Sequence, residues 1–110
     1  MPFYLFQGRY TAAAMKAMVE NPQDREVAGR ALVEAAGGKL HHLFFAFGAE
    51  DVVALIEAPD DIAMASGVMA LAASGGFSGG ATTKLMTAQD AMKAMKGAQA
   101  VAQKYSPPRA

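Results

Sequence analysis

The sequence predicts an α+β domain whose sheet carries apolar side chains on both faces. Three short segments, residues 3–6, 43–47 and 52–56, are continuously apolar. Because successive side chains of a strand point to opposite faces, such runs are typical of strands buried on both sides. Alanine-rich segments with helical periodicity lie between and after these runs, and glycine, proline and capping residues bound them.

The first half of the chain is predicted to hold one strand and two helical segments. Residues 3–7 form the strand, and Thr11 is placed to cap a helix over residues 12–20. Asn21-Pro22 starts the second helical segment, because proline fits the first turn of a helix. Gly37-Gly38 ends it, since glycine readily adopts the left-handed conformation common at helix ends.

The second half is predicted to add three strands and two helices. A short polar connection separates residues 39–47 from residues 52–56, which indicates an antiparallel hairpin. Pro59 ends the pairing, and Asp60 caps a helix that reaches Ser74. A Gly/Ser loop, a weaker strand and a last helix follow, over residues 74–80, 81–86 and 88–105.

The resulting order is β-α-β-β-α-β plus a C-terminal helix, the split βαβ pattern of ferredoxin-like folds. We expect a single domain over residues 1–105 and a C-terminal tail over residues 106–110. Right-handed crossovers place both connecting helices on one face of the sheet. The other face would expose bulky apolar side chains, so the sequence predicts a homo-oligomer, most simply a dimer with its sheets face to face.

The composition excludes several classes of function. The 110 residues suit one domain, and ten basic residues balance ten acidic ones, so no electrostatic footprint for nucleic acid exists. The absence of cysteine excludes disulfides, thiolate nucleophiles and thiolate metal sites. Neither a membrane span nor a signal peptide is expected, which makes the cytoplasm the expected location. No cofactor is predicted.

Three short motifs match the pattern of a known family. They are Gly37-Gly38-Lys39-Leu40, then Gly48 and Asp51 followed by Val52-Val53, and then Glu57-Ala58-Pro59-Asp60-Asp61. Over roughly residues 2–95 the chain resembles the GYD-domain proteins, small bacterial proteins related in fold to the dimeric α/β-barrel group. Glu50 stands where the tyrosine of the Gly-Tyr-Asp motif is expected. The resemblance implies a ferredoxin-like dimeric barrel, and related families include small monooxygenases, isomerases and ligand sensors.

The two histidines of the chain, His41 and His42, are the candidate catalytic residues. Imidazole acts as an acid, a base or a metal ligand near neutral pH. Neighbours on a regular strand point to opposite faces, so the two rings are not expected to share a metal ion, and no metal site is predicted. The alternative interpretation is one surface histidine and one partly buried, hydrogen-bonded histidine.

Glu50, Asp51 and Phe77 are the candidate ligand-binding residues. Paired carboxylates at a hairpin turn perform acid–base work or bind a cation, but aspartate is also common in turns because its side chain bonds nearby amides. Phe77 stands in the middle of the glycine-rich loop, where it would close over a pocket or dock on the protein. This loop runs from a helix into a strand, unlike the phosphate-binding loops.

The helix over residues 62–73 carries no charged side chain, which is typical of a helix buried all round. One side is expected to lie on the sheet. The other side is expected to lie against the C-terminal helix or against another subunit, with a hydrophobic ligand channel as the alternative. The C-terminal helix has an apolar stripe from Ala88 to Tyr105 that suits docking on protein.

Three hypotheses about function follow. The first is a small-ligand-binding or regulatory oligomer that takes a small apolar ligand; it ranks ahead because no complete catalytic constellation is visible. The second is a cofactor-free enzyme of monooxygenase or isomerase type with a histidine in an apolar pocket. The third is a structural assembly unit. The sequence assigns no reaction, and a pocket that contains a histidine would favour the enzyme.

Overall fold

A computed structural model describes residues 1–109 as one four-stranded antiparallel sheet with four helices. The strands are β1 (Phe3–Tyr10), β2 (Lys39–Phe45), β3 (Val52–Glu57) and β4 (Phe77–Leu85), in the spatial order β2-β3-β1-β4. The helices are α1 (Ala12–Glu20), α2 (Arg25–Ala35), α3 (Asp61–Ala73) and α4 (Ala88–Ala102). This order, with every neighbouring pair antiparallel, is that of a ferredoxin-like α+β fold.

Side-chain capping sets the helix boundaries. Thr11, Asp60 and Thr87 each accept a hydrogen bond from a backbone amide in the first turn of α1, α3 and α4, which confirms the predicted caps. The second helix begins later than expected, because Asp24 caps it in place of Asn21. Gly37 follows this helix with φ at +83°, in the left-handed conformation that glycine adopts at low cost.

One face of the sheet carries the hydrophobic core. Its buried side chains alternate along β1 and β3, with further contributions from β2, α3 and the residue that follows β3; they are Tyr4, Phe6, Leu40, Val52, Ala54, Ile56, Ala58 and Met64. Partly buried apolar side chains from α2 and α3 pack against this cluster. Burial of one large apolar side chain stabilises a fold by about 1.5–3 kcal/mol.

The opposite face of the sheet, here called the outer face, is apolar and has no helix over it in the described chain. The strand register forms rows across this face. Leu5 lies between Leu55 and Thr83, and Val53 lies beside Phe44. The side chain of Phe44 is 63% exposed, so this face is the uncovered apolar surface that the sequence predicts.

The fourth strand is longer than expected and absorbs most of the predicted glycine-rich loop. Phe77, Gly79 and Gly80 pair with β1, with Ser78 at an irregularity between them, so the prediction of a loop over residues 77–80 is wrong. A Cβ on Gly80 would lie 2.2 Å from the backbone oxygen of Gln7. Glycine is therefore required for the close approach of the two strands. Of the predicted loop, only Ser74, Gly75 and Gly76 remain in the turn after α3.

The last helix, α4, projects from the end of β4 and has no extended packing against the other elements of residues 1–109. Apart from Ala91, all of its residues are exposed. The projection contributes to a longest dimension of 59 Å. Within one chain α4 therefore does not cover α3. The expectation that the C-terminal helix packs on the free side of α3 is wrong for the single chain.

None of the described helices has the length and apolar character that crossing a bilayer requires.

Candidate functional site

An apolar cavity of about 440 Å³ lies between the sheet and the helices α1, α2 and α3. The sheet and all three helices contribute apolar side chains to its wall, among them Phe6, Leu40, Leu43, Ala54, Ala14, Met18, Leu32, Val33, Val68 and Leu71. Sites for small molecules are concave, mainly apolar and typically a few hundred cubic ångströms in volume. The cavity has the size and the lining of such a site.

Polar side chains at the cavity are few, and three of them, Gln23, Arg25 and Ser74, already have partners. Arg25 donates a hydrogen bond to the side chain of Gln23 at 2.8 Å, and the hydroxyl of Ser74 donates to the backbone oxygen of Leu71 at 2.6 Å. No carboxylate and no histidine is among the described lining residues. The wall can therefore hold an apolar ligand, but it supplies no conventional acid–base pair.

Phe77 forms part of the cavity wall from a paired position in β4. Its ring stacks on Tyr10, with ring centres 4.6 Å apart, and meets Phe6 edge-on at 5.8 Å. A Cβ on Gly8 would lie 2.8 Å from the Phe77 ring, so this glycine makes room for the aromatic group. These contacts place the side chain in the cavity wall, and its part in ligand binding stays a prediction.

A β-bulge in β2 places both histidines on the outer face. Leu40 pairs with Ile56 in the core, whereas the next paired residue, His42, lies opposite Leu55 on the outer face. His41 lies in the bulge, with its Nε2 atom 2.6 Å from Oε1 of Glu57. The expectation that the two rings point to opposite faces is wrong, because the extra residue of a bulge interrupts the alternation.

The sheet separates the two histidines from the cavity. His41 is half-buried and packs on the ring of Phe3, whereas His42 is exposed and stacks on Phe44. Across residues 1–109, no group of three or more histidine, aspartate or glutamate side chains is arranged to hold a metal ion. The single chain therefore does not combine a histidine with the apolar cavity, and the catalytic role of His41 or His42 stays a prediction.

Glu50 and Asp51 attach the start of β3 to the end of β1. Oε1 of Glu50 lies 2.7 Å from Nη1 of Arg9, and the Asp51 carboxylate accepts a hydrogen bond from the Tyr10 backbone amide at 3.0 Å. These contacts lie at the opposite end of β1 from His41. The structure does not bring the two carboxylates and the histidines together, and a ligand-binding role of Glu50 and Asp51 stays a prediction.

A polar cluster that the sequence analysis missed joins α3 to the sheet. The hydroxyl of Tyr4 donates a hydrogen bond to Oδ1 of Asp61 at 2.5 Å, and Nζ of Lys84 lies 2.9 Å from the same oxygen. The hydrogen bonds from Tyr4 and Lys84 lower the pKa of Asp61. The hydrogen bond to Asp61, together with desolvation, raises the pKa of Tyr4 to about 12. A tyrosine held protonated and an aspartate held ionised do not exchange protons near neutral pH, so the cluster fixes the start of α3.

The Tyr4–Asp61 contact should give the protein a specific loss of stability in acid. Because the folded state lowers the pKa of Asp61 below its ordinary 3.8, the contact stabilises the fold above that value and is lost as the pH falls through the folded pKa. We expect Tyr4→Phe to reduce the free energy of unfolding at pH 7, and we expect the difference from the wild type to shrink as the pH falls below about 4.

Urea denaturation of the wild type and the variant at a series of pH values measures this difference. Tyr105→Phe is the control, because Tyr105 is 67% exposed and the variant should match the wild type at every pH. A difference between Tyr4→Phe and the wild type that stays constant from pH 7 to about pH 2 would show that the contact does not depend on ionised Asp61.

Comparisons with known proteins identify a family and a fold. The family model described as the GYD domain matches residues 4–95. Among solved structures, that of MtbAldR shares the fold with a TM-score of 0.54 at 16% sequence identity; the match covers 78% of this chain and 52% of the other. The chain thus spans about half the length of MtbAldR, and an identity this low carries the fold alone. A search of curated proteins gives no match.

Proposed function

We propose that this chain, which belongs to the GYD domain family, is an oligomeric protein that binds a small apolar molecule between its sheet and its helices. The observation that carries the proposal is the cavity of about 440 Å³ with its almost wholly apolar wall. Each Å² of apolar surface that a ligand removes from water there would favour binding by about 25 cal/mol. The ligand would contact both the sheet and the helices. Binding that bridges the two layers suits a regulatory protein.

The enzyme hypothesis has weaker support. Its hydrogen-bonded histidine, His41, lies on the outer face with Glu57, and the cavity lies behind the sheet. A cofactor-free oxygenase or isomerase would need a substrate site on the same side as this pair, because a general base must reach the proton that it removes. No side chain able to serve as a general base at neutral pH is among the cavity residues of the described chain, so binding without reaction is the better proposal.

The proposed oligomer is a dimer in which two outer faces pack against each other, as in a dimeric α/β barrel. Leu5, Leu55 and Val53 form the middle of this face, and Phe44 and Leu85 flank them. The Arg9–Glu50 ion pair lies at one end of the outer face, and the His41–Glu57 contact lies at the other end. An apolar centre with polar ends is the usual composition of a protein interface, and a two-fold axis would pair the face with itself.

Filling the cavity should abolish binding of an apolar probe. Ala14 lies in the cavity wall on α1, so the ring in Ala14→Phe would occupy ligand space. We expect N-phenyl-1-naphthylamine to bind the wild type with a saturable rise in fluorescence, and we expect Ala14→Phe to weaken that binding by about tenfold or more, equivalent to at least about 1.4 kcal/mol. Ala13→Phe is the matched control, because Ala13 is exposed on the same helix and does not line the cavity.

Thermal unfolding of both variants shows that the fold persists. Should Ala14→Phe fail to fold, Ala14→Val provides the smaller filling group, with a correspondingly smaller loss of binding. Equal probe affinity in the wild type, the folded cavity variant and the control would exclude the cavity as the binding site. An absence of probe binding in the wild type would also count against the proposal.

A further inference from the structure

We infer that α4 of one copy docks in the groove between α3 and β4 of a second copy. This contact is separate from the outer face, because the groove lies on the helical side of the sheet. The ligand cavity lies on that side too, but it shares only Met64 and Val68 with the groove. The occupant of the groove is a second copy of this chain. Three observations carry it: the composition of the groove, the composition of α4, and the way in which α4 leaves its own chain.

The groove has a volume of about 310 Å³ and runs along the flank of α3 beside β4, at the edge of the core. Met64, Ala65, Val68 and Met69 of α3 line it on one side, and Thr82 and Lys84 of β4 line it on the other. Met69 in the groove and Ile62 on the same helix are 69% and 79% exposed. α3 has no charged side chain after Asp61, so this flank is an apolar surface three turns long without a cover in residues 1–109.

The exposed stripe of α4 has the complementary composition. Ala91, Met92, Met95, Ala98 and Ala102 follow helical spacing along one side of the helix. Met95 is 67% exposed in the single chain. The small side chains allow a close approach between helices, and methionine adapts to irregular grooves. An amphipathic helix laid into an apolar groove is a common form of recognition between proteins.

The connection between β4 and α4 favours docking on another copy. Only Met86 and Thr87 lie between Leu85 at the end of β4 and Ala88 at the start of α4. The side chain of Thr87 accepts a hydrogen bond from the backbone amide of Asp90, which fixes the first turn of the helix. α4 leaves its own chain in a direction that gives it no extended packing there. In a reciprocal exchange, α4 of each copy would lie in the groove of the other copy.

The charges at the ends of the two helices agree with this exchange, and the contact area indicates a weak interface. Asp60 and Asp61 lie at the start of α3, and α4 with its C-terminal turn carries Lys93, Lys96 and Lys104. An antiparallel arrangement would bring the C-terminal turn of α4, with Lys104, to the end of α3 where the two carboxylates lie. A 15-residue helix is about 22 Å long and 10 Å wide, so four footprints in a reciprocal pair bury roughly 900 Å², the size of a weak interface that forms and dissociates readily.

Cross-linking between single-cysteine variants tests the exchange in the full-length protein. The chain has no cysteine of its own, so each introduced thiol is unique. Met69→Cys places a thiol in the groove, and Met95→Cys places one at the centre of the α4 stripe. We expect a mixture of the two differently tagged variants to give a cross-linked mixed dimer with a short bismaleimide. Ala100→Cys is the matched control, because it lies on the opposite side of α4 and should give at least about fivefold less product.

A double variant with Met69→Cys and Met95→Cys identifies which chain supplies the helix. Intermolecular product supports the exchange, whereas product only within one chain would show that α4 folds back on its own α3 and would overturn the inference. Equal yields from Met95→Cys and Ala100→Cys would show random collision, which also overturns it. Neither result bears on probe binding in the cavity, so this inference and the proposed ligand site can fail separately.

Discussion

Replacing Phe77 by alanine should reduce the free energy of unfolding by about 3 kcal/mol, the scale expected when a large aromatic side chain is removed from a core. The ring contacts Tyr10 and Phe6 at centroid distances of 4.6 and 5.8 Å, and the absence of a side chain at Gly8 accommodates it. The variant would lose these contacts and enlarge the ligand cavity. A lid residue on a mobile loop would give a change within about 0.5 kcal/mol.

Denaturant unfolding of Phe77→Ala beside Phe47→Ala measures this difference. Phe47 is fully exposed in the connection after β2, so its removal takes away no packing and should leave stability nearly unchanged. A similar, small effect of both substitutions would mean that Phe77 is not part of the core. The probe experiment adds a second measurement, because a larger cavity in Phe77→Ala should accept bulkier apolar probes than the wild type does.

Much of the fold could be predicted because the relevant signals are local in sequence. The caps Thr11, Asp60 and Thr87 act on amides within their own first turns, so the sequence indicates where these helices begin. Two further signals are equally local: the apolar runs of β1, β2 and β3, and Gly37, which ends the second helix in the left-handed conformation. With right-handed crossovers, these elements fit a ferredoxin-like sheet and leave one apolar face uncovered.

The position of the histidines could not be predicted, because it depends on one irregularity in strand pairing. A regular β2 would place His41 and His42 on opposite faces, but the bulge after Leu40 sends both to the outer face. Nothing in the composition of β2 marks the bulge. The partner of His41 is consequently Glu57 on the neighbouring strand, and not the turn residue Glu50 that lies closer to it in sequence.

The cavity and the Tyr4–Asp61–Lys84 cluster could not be predicted for a related reason. Each depends on how far the helical layer stands from the sheet and on which strands lie side by side, and both are properties of the whole fold. From the sequence alone, Asp61 is expected only to stabilise the start of a helix, because its negative charge lies in the first turn. Its contacts with residues 57 positions earlier and 23 positions later appear only when β4 is paired with β1.

A charge in the centre of the outer face should break the proposed sheet-to-sheet dimer. Leu55 lies between Leu5 and His42 in the register, and its side chain is only partly buried in the single chain. Leu55→Asp should therefore leave folding largely intact, while the dimer would have to bury an unpaired carboxylate on each side, an arrangement that costs several kcal/mol. We expect sedimentation equilibrium at micromolar concentration to show association at least about a hundredfold weaker than in the wild type, a change of about 2.8 kcal/mol.

The proposed exchange of α4 gives the same experiment a second stage. Leu55→Asp removes only the outer-face contact, so the exchanged α4 helices should still hold a fraction of the chains together as dimers. Adding Met95→Asp in the α4 stripe should then leave a single species of 11.4 kDa. Val19→Asp is the control, because Val19 is exposed on α1 and its replacement should not change assembly. A wild type that sediments at 11.4 kDa, or a Leu55→Asp variant that associates as the wild type does, would refute the outer-face dimer.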